Sequence, residues 1–187
     1  IYGLRINKGY SINEEHYLGL FSRLGAGAVV KDLVISQSEI NLLNSNTIYS
    51  QTFYIGAIAG RMNGALIENT LIDVKLDLGS EALSRVYAGG IAGMGSGEIK
   101  RAVFAGELDF GHHSFLTAQA VLGKYYLGGV VGSTAADAIL NLNEVKSDAV
   151  ITGFSTDSDI SLSPGESKID VYLGGIIGRV VNTTAAN

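Results

Sequence analysis

The sequence predicts an all-β chain, a right-handed parallel β-helix (a β-solenoid) of about four to five irregular coils with long corner loops. Three observations predict it. A tyrosine–glycine motif recurs along the chain, stretches of alternating apolar and polar residues follow each copy, and glycine is abundant where proline is nearly absent. There are 25 glycines among 187 residues and one proline, Pro164. Glycine without proline and without a Gly-X-Y period excludes collagen and Pro-rich linkers, and suits tight turns and close backbone approaches.

The motif Tyr-x-Gly-(Gly/Ala)-(Ile/Val)-x-Gly occurs four times. It begins at Tyr54 with Gly56 and Gly60, at Tyr87 with Gly89 and Gly93, at Tyr126 with Gly128 and Gly132, and at Tyr172 with Gly174 and Gly178. A degenerate first copy, Tyr17-Leu18-Gly19-Leu20-Phe21-Ser22, fits after a one-residue shift. The tyrosines are 37, 33, 39 and 46 residues apart. A fixed motif at a period of this size marks stacked repeats, each unable to bury its inner face alone. Equivalent tyrosines should then form a ladder, with half-buried or core stacking favoured over an outward aromatic strip.

A second block follows each motif. Val30-Lys31-Asp32-Leu33-Val34 aligns with Ile67-Glu68-Asn69-Thr70-Leu71 and with Ile99-Lys100-Arg101-Ala102-Val103. The fourth copy is placed at Ile139-Leu140-Asn141-Leu142-Asn143. Alternating stretches such as Val74-Lys75-Leu76-Asp77-Leu78 come next, a pattern of half-buried strands, and no long helical spacing is present. Each repeat thus supplies about three short strands, and unequal loops leave the coil at one corner. The longest loops are expected at Phe154–Ser167 and at Gly111–Tyr125. The second contains His112 and His113, and its residues 115–122 fit a short helix as well as a loop. The chain is expected to be one solenoid domain over residues 1–187, cut from a longer protein. Its exposed strand edges would need Ile1–Glu15 or the last residues folded over an end.

Composition narrows the function. A formal charge of −5 leaves no basic footprint, so nucleic acid is not an expected partner. No polybasic segment and no apolar run of about 20 residues point to lipid binding or membrane insertion. Cysteine is absent, which fits a chain with an adequate core in any compartment.

The glycine blocks, together with Gly19-Leu20-Phe21 and the positions of Asn69 and Asn141, resemble the GLUG repeat of bacterial surface proteins. They are also similar to the repetitive region preceding the catalytic part of streptococcal immunoglobulin-A-protease-type zinc metallopeptidases. The resemblance runs from Tyr17 onward and implies a β-helix on a secreted, cell-attached protein. The chain departs from the pattern at Asp32, Arg101, Ala57 and Ser22, which bears on the conformation of individual turns.

Candidate chemistry is sparse. A zinc peptidase needs His-Glu-x-x-His, and His16, His112 and His113 do not supply it. The His112-His113 pair would point to opposite faces of a strand. Asp73 and Asp77 lie on one strand face about 13 Å apart, too far for a glycosidase pair. Asp157-Ser158-Asp159 lacks the rest of a calcium loop. Gly93-Met94-Gly95-Ser96-Gly97 is not a nucleophile elbow, and its glycines suit a tight corner better than a phosphate cradle. The reading is therefore a non-catalytic scaffold or adhesin-like module, extracellular or on a bacterial surface, with no cofactor, no metal and a host protein or glycan as partner. Two alternatives stand beside it: an accessory domain of a secreted metallopeptidase, and a carbohydrate-active β-helix enzyme.

Overall fold

Alternation of apolar and polar residues drives the chain into strands that bury one face, and the repeat then stacks like strands on like. The computed structural model describes residues 1–8, 15–42, 52–78, 85–109, 124–136, 138–152 and 170–181. The strands run in coils. A leading strand β1 (Arg5–Lys8) precedes the first coil of β2 (Glu15–Leu18), β3 (Phe21–Leu24) and β4 (Val29–Leu42). The second coil is β5 (Thr52–Gly56), β6 (Ala59–Met62) and β7 (Ala65–Asp77). The third is β8 (Arg85–Gly89), β9 (Ala92–Gly95), β10 (Gly97–Phe104) and β11 (Glu107–Asp109). The fourth is β12 (Lys124–Gly128), β13 (Val131–Thr134), β14 (Leu140–Ser147) and β15 (Val150–Thr152), and β16 (Asp170–Gly174) with β17 (Ile177–Arg179) opens a fifth.

Three parallel sheets result, each stacked in chain order. The tyrosine sheet is β2-β5-β8-β12-β16, the glycine sheet is β3-β6-β9-β13-β17, and the long sheet runs β1-β4-β7-β10-β14 with β11 and β15 beside it. This is the parallel β-solenoid architecture that the repeat predicts. The longest connections all run from a long-sheet strand to the next tyrosine-sheet strand: Leu42 to Thr52, Asp77 to Arg85, Asp109 to Lys124 and Thr152 to Asp170. The expected loops at Gly111–Tyr125 and Phe154–Ser167, with the helix at 115–122 and Pro164, lie outside the described residues, apart from Lys124 and Tyr125, which belong to β12 and not to a loop.

The core fills the space between sheets. Phe53, Ile55, Ile58, Ile67, Ile72, Val86, Phe104 and Leu127 are buried in one continuous cluster with Leu18 and Leu24 of the first coil. Glycine is required where backbones meet. A Cβ on Gly56, Gly89, Gly128 or Gly174 would collide with the carbonyl of the residue three further on. One on Gly60, Gly93, Gly132 or Gly178 would collide with backbone of the tyrosine sheet. Ala57 is accommodated because the long-sheet side chain of its coil at the level of Phe104 is the smaller Ile72, whereas a Cβ on Gly90 would strike the Phe104 ring.

The second block holds in three copies and shifts in the fourth. Val30 pairs with Ile67, and Ile67 with Ile99, as the alignment expects. Ile99, however, pairs with Leu142, not with Ile139. Asn141 sits opposite Glu98, and Glu144 takes the place expected for asparagine. Ile139 lies outside β14 and is exposed, so the apolar residue that anchored the sequence alignment is not the one that points inward. Asp32, Asn69, Arg101 and Glu144 all have φ between 48° and 53°, a left-handed rung repeated in every coil. The departures from asparagine at Asp32 and Arg101 therefore leave the turn unchanged.

Candidate functional site

Along β5, Phe53 and Ile55 enter the main core while Tyr54, between them, joins a separate cluster with Tyr87 and Tyr126. Period-two alternation places the tyrosines on the other side of the sheet from the core. Register pairs Tyr17, Tyr54, Tyr87, Tyr126 and Tyr172 one above another. The degenerate first copy needs no shift at its tyrosine; the missing residue falls in the corner after Leu20, since Phe21 pairs with Ala59.

The rings stack nearly parallel. Centroids are 4.8 Å apart from Tyr17 to Tyr54, 5.2 Å from Tyr54 to Tyr87, and 4.9 Å for each of the next two steps. Interplanar angles stay between 7° and 15°. Each ring face is thereby covered by its neighbour, and Tyr54, Tyr87 and Tyr126 are buried although they lie outside the main core. An open aromatic platform for sugar rings is absent from the inner coils, and only Tyr172, 44% exposed, presents much of its surface.

The third position of each glycine-sheet strand packs onto this stack. The rung reads Arg23, Arg61, Met94, Ser133 and Arg179. The Arg23 guanidinium lies 3.9 Å from the Tyr17 centroid, that of Arg179 is 4.8 Å from Tyr126, and that of Arg61 is 5.9 Å from Tyr54. On the other flank the rung is Glu15, Thr52, Arg85, Lys124 and Asp170. Tyr54 donates its hydroxyl hydrogen bond to Glu15 Oε1 at 3.3 Å, and Tyr17 also donates to Glu15. Burial, reinforced by the Glu15 charge, pushes the Tyr54 hydroxyl up to about 12. Burial and the hydrogen bond to Glu15 raise that of Tyr17, and burial raises that of Tyr87 against the opposing pull of Arg85.

The remaining candidates disperse. His16 is buried and stacks on Phe53 at 4.9 Å, a core role. Ser96 is buried and accepts a hydrogen bond from the Gly64 amide at 3.1 Å, which closes a turn. Asp73 accepts weakly from the Gln37 amide at 3.4 Å. Asp77 has a closer carboxylate neighbour than Asp73: Asp109, its register partner in the next coil. That pairing is invisible along the sequence because 32 positions separate the two residues. Lys75 lies against it, 2.8 Å from Asp109 and 3.8 Å from Glu107. A shallow open groove of about 250 Å³, lined by Gly27, Ala28, Gly64, Ala65 and Gly97 with Glu98 at its edge, lacks converging polar groups.

His112, His113 and Asp157-Ser158-Asp159 lie outside the described residues. Among the described residues no group of three or more His, Cys, Asp or Glu is placed to hold a metal ion, and no helix is long and apolar enough to cross a membrane. Comparison of the chain with family models, with curated proteins and with solved structures returns no match.

Proposed function

We propose that the chain is a non-catalytic β-solenoid module of a secreted bacterial surface protein, of the GLUG-repeat kind, which acts as a scaffold and binds a host protein or glycan. One observation carries the reading. Like residues stack on like through the coils, tyrosine on tyrosine and glycine on glycine, and the longest connections all leave at one corner. Such an arrangement makes a body of constant section, whose product is extended surface and not a cleft. An accessory role in a secreted metallopeptidase uses the same property, with cleavage performed by another part of the protein.

The test is direct binding of the whole chain to immobilised host glycoproteins and to their deglycosylated forms. Saturable capture without any cleavage of the target is the expected result. Failure to bind either form, with the chain folded, would sink the module reading.

A second reading, a carbohydrate-active enzyme, has Asp77 and Asp109 in its favour. Side by side on adjacent strands, their backbones are about 4.8 Å apart, within reach of the separations that glycosidases use. Lys75 on Asp109 favours an ion-paired structural role instead. Release of reducing ends from polyuronates, abolished by Asp77→Asn, would decide for the enzyme.

A further inference from the structure

We propose that the cation-edged tyrosine face is a binding strip for a linear anionic glycan laid along the axis of the coil stack. The inference rests on the binding-module reading and names its ligand. Its basis is the order of charges along the two rungs that flank the tyrosines. The first coil sets Glu15 against Arg23, the second Thr52 against Arg61, the third Arg85 against Met94, and the fourth Lys124 against Ser133. The fifth sets Asp170 against Arg179. Each coil therefore carries one cation beside its tyrosine. Where the glycine-sheet rung gives it up to Met94 and Ser133, the tyrosine-sheet rung supplies it.

Most of these charges have no carboxylate partner. Arg23 lies 3.6 Å from Glu15, and Lys124 has Asp170 as its register partner, but among the described residues no carboxylate is within ion-pair distance of Arg61, Arg85 or Arg179. On the long sheet, by contrast, Lys75 sits on Asp109, Lys100 and Arg101 on Glu68, and Lys146 on Asp148. A chain of net charge −5 has thus gathered a row of cations on one face, at the coil spacing of about 5 Å.

The chemistry of the strip selects among polyanions. Single-stranded nucleic acid is held by stacking bases on free aromatic faces, and here the inner tyrosine faces are spent on one another. What remains outward is guanidinium and ammonium, with the inner phenols buried beneath them. Guanidinium groups take carboxylate or sulfate in bidentate fashion. A polymer with an acidic group on every ring or every second ring meets that row in register.

Titration of the whole chain with a sulfated glycosaminoglycan and with a polyuronate, across a series of salt concentrations, tests the strip. The three cations of the second to fourth coils should give a log–log salt slope of about −2. The combined variant Arg61→Gln, Arg85→Gln, Lys124→Gln should weaken binding about tenfold or more and flatten the slope. A control of equal charge change, Lys75→Gln, Lys100→Gln, Lys146→Gln, should bind as the parent does, once both variants are shown to melt as folded proteins. Equal loss in both variants, equal affinity for an oligothymidylate, or no binding to any acidic glycan would each overturn the strip. If host-glycoprotein capture survives while acidic glycans fail, the strip falls and the module reading stands.

Discussion

The first and last coils carry the same motif and sit in different surroundings. Leu18 of the first coil is 2% exposed, whereas Leu173, its counterpart in the fifth, is 57% exposed. His16 is buried where Val171 is 38% exposed. At the leading end β1 lies on β4, and Ile6 packs against the core. In their sheets β2 and β3 are edge strands just as β16 and β17 are. The same motif therefore contributes different stability at the two ends because its apolar side chains are covered in the first coil and exposed in the fifth.

The largest expected effect separates inner from terminal tyrosines. Tyr87→Ala removes a ring held on both faces and should cost about 3–5 kcal/mol in a denaturation experiment, whereas Tyr172→Ala should cost about 1 kcal/mol. Equal losses would mean that the trailing coil is covered in solution. Glycine substitutions sharpen the same contrast. Gly90→Ala drives a methyl into Phe104 and the Gly129 carbonyl and should cost about 3 kcal/mol, while Gly175→Ala, with open space around it, should stay within about 0.5 kcal/mol. Adding Phe104→Ile to Gly90→Ala reproduces the combination found at Ala57 and Ile72, and should recover part of the loss.

Alkali probes the inner ladder as a unit. Tyr54, Tyr17 and Tyr87 have hydroxyls raised by burial, so the folded state favours their neutral form. Their contribution is complete below pH 10 and is lost as pH rises through about 12, the Tyr54 value. Melting temperature should fall across that window together with the appearance of phenolate absorbance. A melt that stays constant to pH 12 would show that the stack is not buried.

The smallest effect concerns the left-handed rung. Glu144→Asn places the residue best suited to φ of 53° and should raise stability by about 0.5–1 kcal/mol, with the reverse change, Asn69→Glu, costing a similar amount.

Strand order and the tyrosine ladder are legible in the sequence because they rest on local alternation and on a motif that repeats without interruption from Tyr54 to Gly60 and beyond. The fourth copy of the second block is not. Ile139 and Asn141 imitate the pattern, and only pairing with Ile99 reveals that Leu142 faces inward and Glu144 takes the turn. Inter-coil neighbours such as Asp77 and Asp109 are hidden for the same reason, since connections of different length erase any constant separation. The side on which the tyrosines stack follows from alternation with Phe53 and Ile55, a signal present in the sequence, where the expectation of core or half-buried stacking leaves the side open. The alternation of cations between Arg61 and Arg85 requires both registers at once.

The strand ends from which the long connections depart, Asp77, Asp109 and Thr152, are stacked in single file about 4.8 Å apart. Duplicating a repeat would lengthen that row by one anchor and leave the three ladders in register. Length would then grow in integral steps, one coil at a time.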